Sequence, residues 1–316
     1  MAIDGGAGPA PGAIRITAEQ RRRFDGDGYF LVEDALAPAE VAELLRVVDE
    51  LDGRVRRERG LGTVTPVRVN NIACRDAAFR RLLDHPVLLP LVVDCLGPRI
   101  QLRGSNLDVR PPQSRPEHTA GLGAADSFFP WHRDAPDGGW PTVDGIVPFL
   151  ELKVGCYLTD LTEPESGALC VVRGSHRRVL ATGPDGEPRV DPADIDEIRV
   201  RPGTAIVWRT SLLHCVSPNF SDRARRCLYL AYQHRWLRPS DYLGAPADVL
   251  AACSPIQRQL LGSGAHRALE LHDPEVEACS PHWTPGPESV PLEAWARRQG
   301  LRAGAGVHDV DTRDRG

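Results

Sequence analysis

His132, Asp134 and His214 carry the most chemical information in this chain of 316 residues. They stand in Trp131-His132-Arg133-Asp134 and, eighty-two positions on, in Leu213-His214-Cys215. In a β-strand residues i and i+2 point the same way, so His132 and Asp134 can enter one cavity together. A histidine from a strand far off in sequence closes a triangle of two imidazoles and one carboxylate. Such a set occupies one face of a metal and leaves three positions open, which is what a non-haem Fe(II) oxygenase needs for a cosubstrate and O₂. H-x-D pairs are common by chance, so the weight rests on what surrounds this one.

The elements that must position these residues are legible in outline. Thr17-Ala18-Glu19-Gln20 reads as a capping box opening a short helix that Gly26 and Gly28 end. Tyr29 to Val32 reads as a strand. Val41, Leu44, Leu45, Val48 and Leu51 recur at helical spacing, which predicts an amphipathic helix from Pro38 to about Asp52. A second helical region spans Ala77 to Leu96, broken at Pro86 and stopped by Gly97-Pro98. From Ile100 the texture turns to strands: Ile100 to Val109, Pro148 to Leu158, Ala168 to Val172, Thr204 to Trp208 and Arg226 to Tyr232. Arg110 to Pro130 and His176 to Asp196 are expected as irregular insertions. The first runs directly into the H-x-D and reads as an active-site lid.

Composition narrows the function classes. A net charge of −5 without a long Lys/Arg block argues against nucleic acid. No apolar run approaches the roughly 20 residues that span a bilayer, so no membrane partner is expected. Residues 1–13 lack the basic start and apolar stretch of a signal peptide, which predicts a cytoplasmic protein. The eight cysteines, at 74, 95, 156, 170, 215, 227, 253 and 279, include no C-x-x-C pair and read as buried reduced thiols. Lys153 is the only lysine. Lys153, Tyr157 and Thr159 share one face of their strand by alternation, and the pattern leaves open whether that face is inward or outward. The expected organisation is a disordered leader (1–15), one domain (16–300) and a disordered tail (301–316). Within the domain come a helical part (16–97), a β core (98–240) and a C-terminal extension (241–300).

The order of motifs from about residue 20 to 240 resembles the phytanoyl-CoA dioxygenase family of Fe(II)- and 2-oxoglutarate-dependent oxygenases. The likeness rests on Gly97-Pro98 before a strand ending Val109-Arg110-Pro111-Pro112, and on Trp131-His132-Arg133-Asp134, similar to W-H-x-D. It continues through Leu158-Thr159-Asp160, Ser166-Gly167-Ala168-Leu169 and Val172-Arg173-Gly174-Ser175-His176. It ends with His214-Cys215-Val216-Ser217-Pro218-Asn219 and Arg225. The resemblance implies a double-stranded β-helix, a jelly-roll, cupin-like core that is mainly β with flanking helices.

It also implies a chemistry. Fe(II) held by His132, Asp134 and His214 would use 2-oxoglutarate and O₂ to oxidise a small-molecule substrate of secondary-metabolite type, releasing succinate and CO₂. Hydroxylation of an unactivated C–H is the expected outcome, and the same cofactors also support desaturation, epoxidation or cyclisation. Asp134 argues against a halogenase, where a small residue stands at that position. Arg225, eleven positions after His214, matches the arginine that grips the far carboxylate of 2-oxoglutarate, for which a planar guanidinium fork is suited. Arg223 and Arg226 are its rivals, with Arg223 on the same strand face. Asn106 and Arg68 match further cosubstrate contacts. Val216 and Gly155 depart from the family pattern, Gly155 standing where an aromatic residue can wall the cosubstrate pocket. Tyr157 would fill that gap if its face is inward. Two other classes stand beside this reading: a non-oxidative metal protein on a β-sandwich, which needs a general base not evident in the sequence, and a silent binding module, which has no need of all four residues.

Overall fold

A computed structural model describes residues 14–115, 130–135, 139–184, 186–242, 244–263 and 290–301. Helix α1 (Ala18–Gly26) begins at the expected capping box, with the Gln20 amide donating to Thr17 Oγ1 and the Thr17 amide to Gln20 Oε1. Strand β1 (Tyr29–Val32) follows. Helix α2 (Pro38–Arg59) runs seven residues beyond the expected end. Gly53 does not stop it, because Val55 extends the buried stripe of Val41, Leu44, Val48 and Leu51, and Arg56 pairs with Asp52 one turn back. Gly60, at φ +63°, ends it. Strand β2 (Val67–Asn70) was not foreseen; its four residues alternate buried and exposed. The second helical region divides into α3 (Ala77–Arg80) and α4 (Leu88–Leu96) on either side of Pro86.

The expected strands appear as β3 (Ile100–Arg110), β4 (Glu151–Tyr157), β5 (Leu169–Val172), β7 (Ala205–Arg209) and β9 (Arg225–His234). Two short ones join them, β6 (Ile195–Ile198) and β8 (His214–Val216). The insertion expected to be irregular up to Asp196 therefore ends in an edge strand. Asp196 takes bonds from Arg173 and from the Tyr29 hydroxyl, at 2.7 Å for the latter. The proposed lid falls, over 116–129, outside the described residues.

One sheet has the order β1-β7-β4-β9-β3-β2 and the other β6-β5-β8. Every pairing with a described register is antiparallel. The inner faces meet in a core where Leu169, Val171 and Ile198 of the small sheet pack among Tyr157, Ile206, Trp208, Cys227 and Tyr229 of the large one. This is the jelly-roll architecture expected from the sequence.

The chain forms two compact units, one of Thr17–Arg80 with Gly104–Ala231 and the other centred on Arg81–Arg103 and the described residues from Tyr232 on. The first contains both faces of the core just described. In the second, helices α5 (Ala247–Ala251), α6 (Pro255–Leu260) and α7 (Pro291–Arg298) accompany α4. There the buried Gln259 side chain donates to the carbonyls of Pro98 and Ile100 and accepts from the Leu292 amide. The C-terminal extension is thus tied by backbone groups that would otherwise be buried without partners. Among the described residues no helix is long and apolar enough to cross a membrane.

Candidate metal centre

The H-x-D segment lies against the edge of the small sheet. His132 and His214 exchange both backbone hydrogen bonds, each 2.9 Å, which makes them a directly opposed antiparallel pair. Their rings sit 4.3 Å apart between centroids. The Asp134 amide donates to the Thr210 carbonyl at 3.0 Å, which turns its carboxylate toward the two imidazoles. One ligand atom from each of His132, Asp134 and His214 lies within 4.8 Å of the others, and His214 Nε2 is 3.6 Å from Asp134 Oδ2. Two metal–ligand bonds of about 2 Å can bridge that separation.

The backbone also selects the ring nitrogens. His132 Nδ1 lies 2.8 Å from the Pro130 carbonyl and His214 Nδ1 2.8 Å from the Leu212 carbonyl. A carbonyl only accepts, so each Nδ1 carries the proton and each Nε2 keeps a lone pair for a metal. Burial, reinforced by the neighbouring His132, lowers the His214 pKa to about 3. Burial opposes ionisation of Asp134. The Lys153 ammonium and the two imidazoles outweigh it, and the carboxyl stays below the usual range. A neutral His214, an ionised Asp134 and the Nε2 of His132 thus form the nitrogen and carboxylate donor set that a divalent transition ion requires.

A stability prediction follows. Folding depresses the His214 pKa from 6.5, so between pH 6.5 and 3 the unfolded chain holds a proton that the folded chain does not. Stability is lost as pH falls through that window, by up to about 1.4 kcal/mol per pH unit from this residue. His176, lowered to about 4 mainly by burial, acts in the same direction. The urea midpoint of metal-free protein should fall steadily from pH 6.5 to 4.5, and His214→Asn should flatten the slope. Equal slopes in both proteins would show that His214 is not the titrating group.

The inward face of β4 is settled by the structure. Lys153 and Tyr157 are both buried on it, and a Cβ on Gly155 between them would come within 3.1 Å of the rings of Trp208, Tyr157 and Tyr229. Three rings thus occupy the room left by the missing side chain. Thr159 lies past the strand end and accepts from the Arg226 amide at 3.0 Å. Lys153 bonds the Asp134 carboxylate and lies 5.6 Å from the centroids of both Trp208 and Tyr229.

Arg225 is fully buried (0% exposed) and Arg223 is exposed. β9 begins at Arg225, so the expectation that Arg223 shares its strand face does not hold: Arg223 precedes the strand and pairs with Asp222 and Asp160. Arg226 pairs with Asp49 at 2.7 Å. Gly167, at φ +84°, makes room for the buried arginine, because a Cβ there would stand 2.7 Å from Arg225 Cδ. The Arg225 guanidinium donates to Tyr229 Oη and has Nη1 3.3 Å from Asp108, yet its Nε and Nη1 have no hydrogen-bond acceptor. Asp108 spends its carboxylate on a fork with Arg110, at 3.0–3.1 Å.

Arg68 stands opposite Asp108 on β2, exposed at the rim of the cavity that His132, Asp134, Lys153, Trp208, His214, Val216 and Tyr229 also line. Asn106 is buried two residues before Asp108 on the same strand face, with Oδ1 lacking a partner. Sequence reasoning missed Asp108, Trp208 and Tyr229 as parts of this site. Their alternation within β3, β7 and β9 was visible, but which face turns inward depends on the sheet pairing.

The phytanoyl-CoA dioxygenase (PhyH) family matches residues 24–227, a stretch that includes His132, Asp134, His214 and Arg225. An ectoine dioxygenase of Nocardia farcinica is 25% identical over 248 residues, covering 69% of this chain and 78% of that protein. A probable alpha-ketoglutarate-dependent hypophosphite dioxygenase of Stutzerimonas stutzeri is 25% identical over 244 residues, covering 68% and 78%. Among solved structures, HygX from Streptomyces hygroscopicus with nickel and 2-oxoglutarate bound shares the fold at a TM-score of 0.58 and 20% identity, over 74% of this chain and 94% of that one. The chain belongs to the phytanoyl-CoA dioxygenase family of Fe(II)- and 2-oxoglutarate-dependent oxygenases.

Proposed function

We propose that this chain hydroxylates an unactivated C–H bond of a small molecule, with 2-oxoglutarate leaving as succinate and CO₂. The observation that carries the reading is the convergence of His132, Asp134 and His214 on a cavity beside a fully buried arginine with unused N–H groups. A buried guanidinium with two N–H groups lacking acceptors is costly unless an anion completes it. The far carboxylate of 2-oxoglutarate fits that need. Relatives support a small substrate, being named for ectoine and hypophosphite.

When bound, iron with 2-oxoglutarate and O₂ supplies the oxidising power for C–H cleavage. The chain's own residues do the rest. His132, Asp134 and His214 would hold the metal, with the Pro130 and Leu212 carbonyls fixing both ring orientations. Arg225 orients 2-oxoglutarate. The rings of Tyr157, Trp208 and Tyr229 exclude water from the floor of the site. Asn106 adds a buried amide to the cosubstrate pocket, and Arg68 a cation at its rim.

The test needs no knowledge of the substrate. Purified protein with Fe(II), ascorbate, 2-oxoglutarate and air should form succinate slowly without any added substrate. Omission of iron or O₂ should stop it. Absence of succinate here and across a panel of candidate metabolites would overturn the reading.

A further inference from the structure

Lys153 is a cation in this site that the cosubstrate reading does not use. It is the only lysine in the chain, its side chain is 9% exposed, and it is held between the rings of Trp208 and Tyr229. Its partner in the structure is the Asp134 carboxylate, the group assigned to the metal. One carboxylate cannot neutralise both an ammonium and a dication. Asp108 offers no relief, because Arg110 and Arg225 already share it.

The charge balance around the cavity points the same way. Arg68, Arg110, Lys153 and Arg225 face Asp108, Asp134 and, from the same face of β4, Glu151. Among the described residues the cations exceed the carboxylates by one, the exposed Arg68 at the rim, before any metal arrives. A dication and the 2-oxoglutarate dianion cancel each other, so the excess persists in the loaded site. Once the metal takes Asp134, Lys153 is a buried cation without its carboxylate, which is unfavourable unless a further anion enters.

We propose that the substrate is itself an anion and that Lys153 is the specificity-determining residue that takes its carboxylate, phosphate or phosphonate oxygens beside the metal. The inference rests on the functional reading above and adds the substrate class. Lys153 suits this role because an ammonium on a flexible stem can leave Asp134 for an incoming oxyanion without moving the strand. Arg68, at the rim, would draw the same anion toward the cavity.

Nickel is a redox-inert stand-in for the test. Protein loaded with Ni(II) and saturating 2-oxoglutarate is titrated calorimetrically with acetate, with methylphosphonate and with neutral acetamide. The two anions should bind at least tenfold more tightly than acetamide. Lys153→Met should abolish that preference while the affinity for 2-oxoglutarate, measured on protein saturated with Ni(II), stays within threefold of wild type. Lys153→Gln serves as a second neutral variant should the first fail to fold, and Lys153→Arg should retain part of the preference.

No preference for anions in the wild type, or an undiminished one in the neutral variants, would overturn the proposal. So would a tenfold loss of 2-oxoglutarate affinity, which would make Lys153 a cosubstrate contact. Wild-type protein that takes up neither Ni(II) nor 2-oxoglutarate would instead overturn the functional reading, and this inference with it.

Discussion

Replacing either His132 or His214 by alanine will abolish the weak visible charge-transfer band expected when Fe(II) and 2-oxoglutarate are combined with the protein in the absence of oxygen. Succinate formation should disappear with it. Such a band requires a metal with two adjacent positions free for the 2-oxo acid, which a three-ligand face provides. Loss of an outer partner costs metal affinity roughly 10–100-fold, and loss of a ligand should cost more. Neither change should unfold the chain, because the backbone bonds that join the two segments do not involve the imidazoles. Thermal melts of the metal-free variants check that point. A band of undiminished intensity in either variant would mean that the metal is held elsewhere.

The reason these residues were legible in the sequence is geometric. Two ligands two positions apart in an extended segment need no knowledge of the fold, because alternation alone puts them on one side. His214 was legible only through its neighbours, since β8 is three residues long and has no alternation of its own to read. The start of α1 was legible because a side chain caps its first turn, at Thr17. The end of α2 was placed seven residues early: the buried stripe continues through Val55 and outweighs the modest helix cost of Gly53, about 1 kcal/mol.

What was not legible depends on contacts between strands. Tyr157 and Lys153 face inward because β4 lies between β7 and β9, where Gly155 admits the rings of Trp208 and Tyr229. No spacing within residues 151–157 encodes that choice, since all seven residues are buried and both faces are covered. β6 was hidden for the opposite reason. Its Asp196 and Glu197 gave it the look of a loop, and only Tyr29 and Arg173 make Asp196 a satisfied edge residue.

Arg225→Ala should weaken 2-oxoglutarate binding by roughly 2–4 kcal/mol, the usual cost of removing one partner of a buried charge pair, or about 30- to 1000-fold in Kd. Anaerobic titration of the Fe(II) protein, followed by the visible band, measures this directly. The arginine is fully buried, its Nε and Nη1 lack acceptors, and burial leaves little water to compete for its charge. Folding should survive the change, because Asp108 keeps its fork with Arg110. Arg223→Ala and Arg226→Ala should cost far less, since the first residue is exposed and the second pairs with Asp49 in a half-buried ion pair of the kind worth at most about 1 kcal/mol. Gly167→Ala provides an independent check without touching the guanidinium. Its added Cβ would stand 2.7 Å from Arg225 Cδ on a backbone at φ +84°, so it should displace the arginine and weaken 2-oxoglutarate binding, with metal affinity retained. If Arg223→Ala proved the damaging change and Arg225→Ala the mild one, the cosubstrate would lie on the other side of the strand end, and the eleven-residue spacing from His214 would have pointed to the wrong guanidinium.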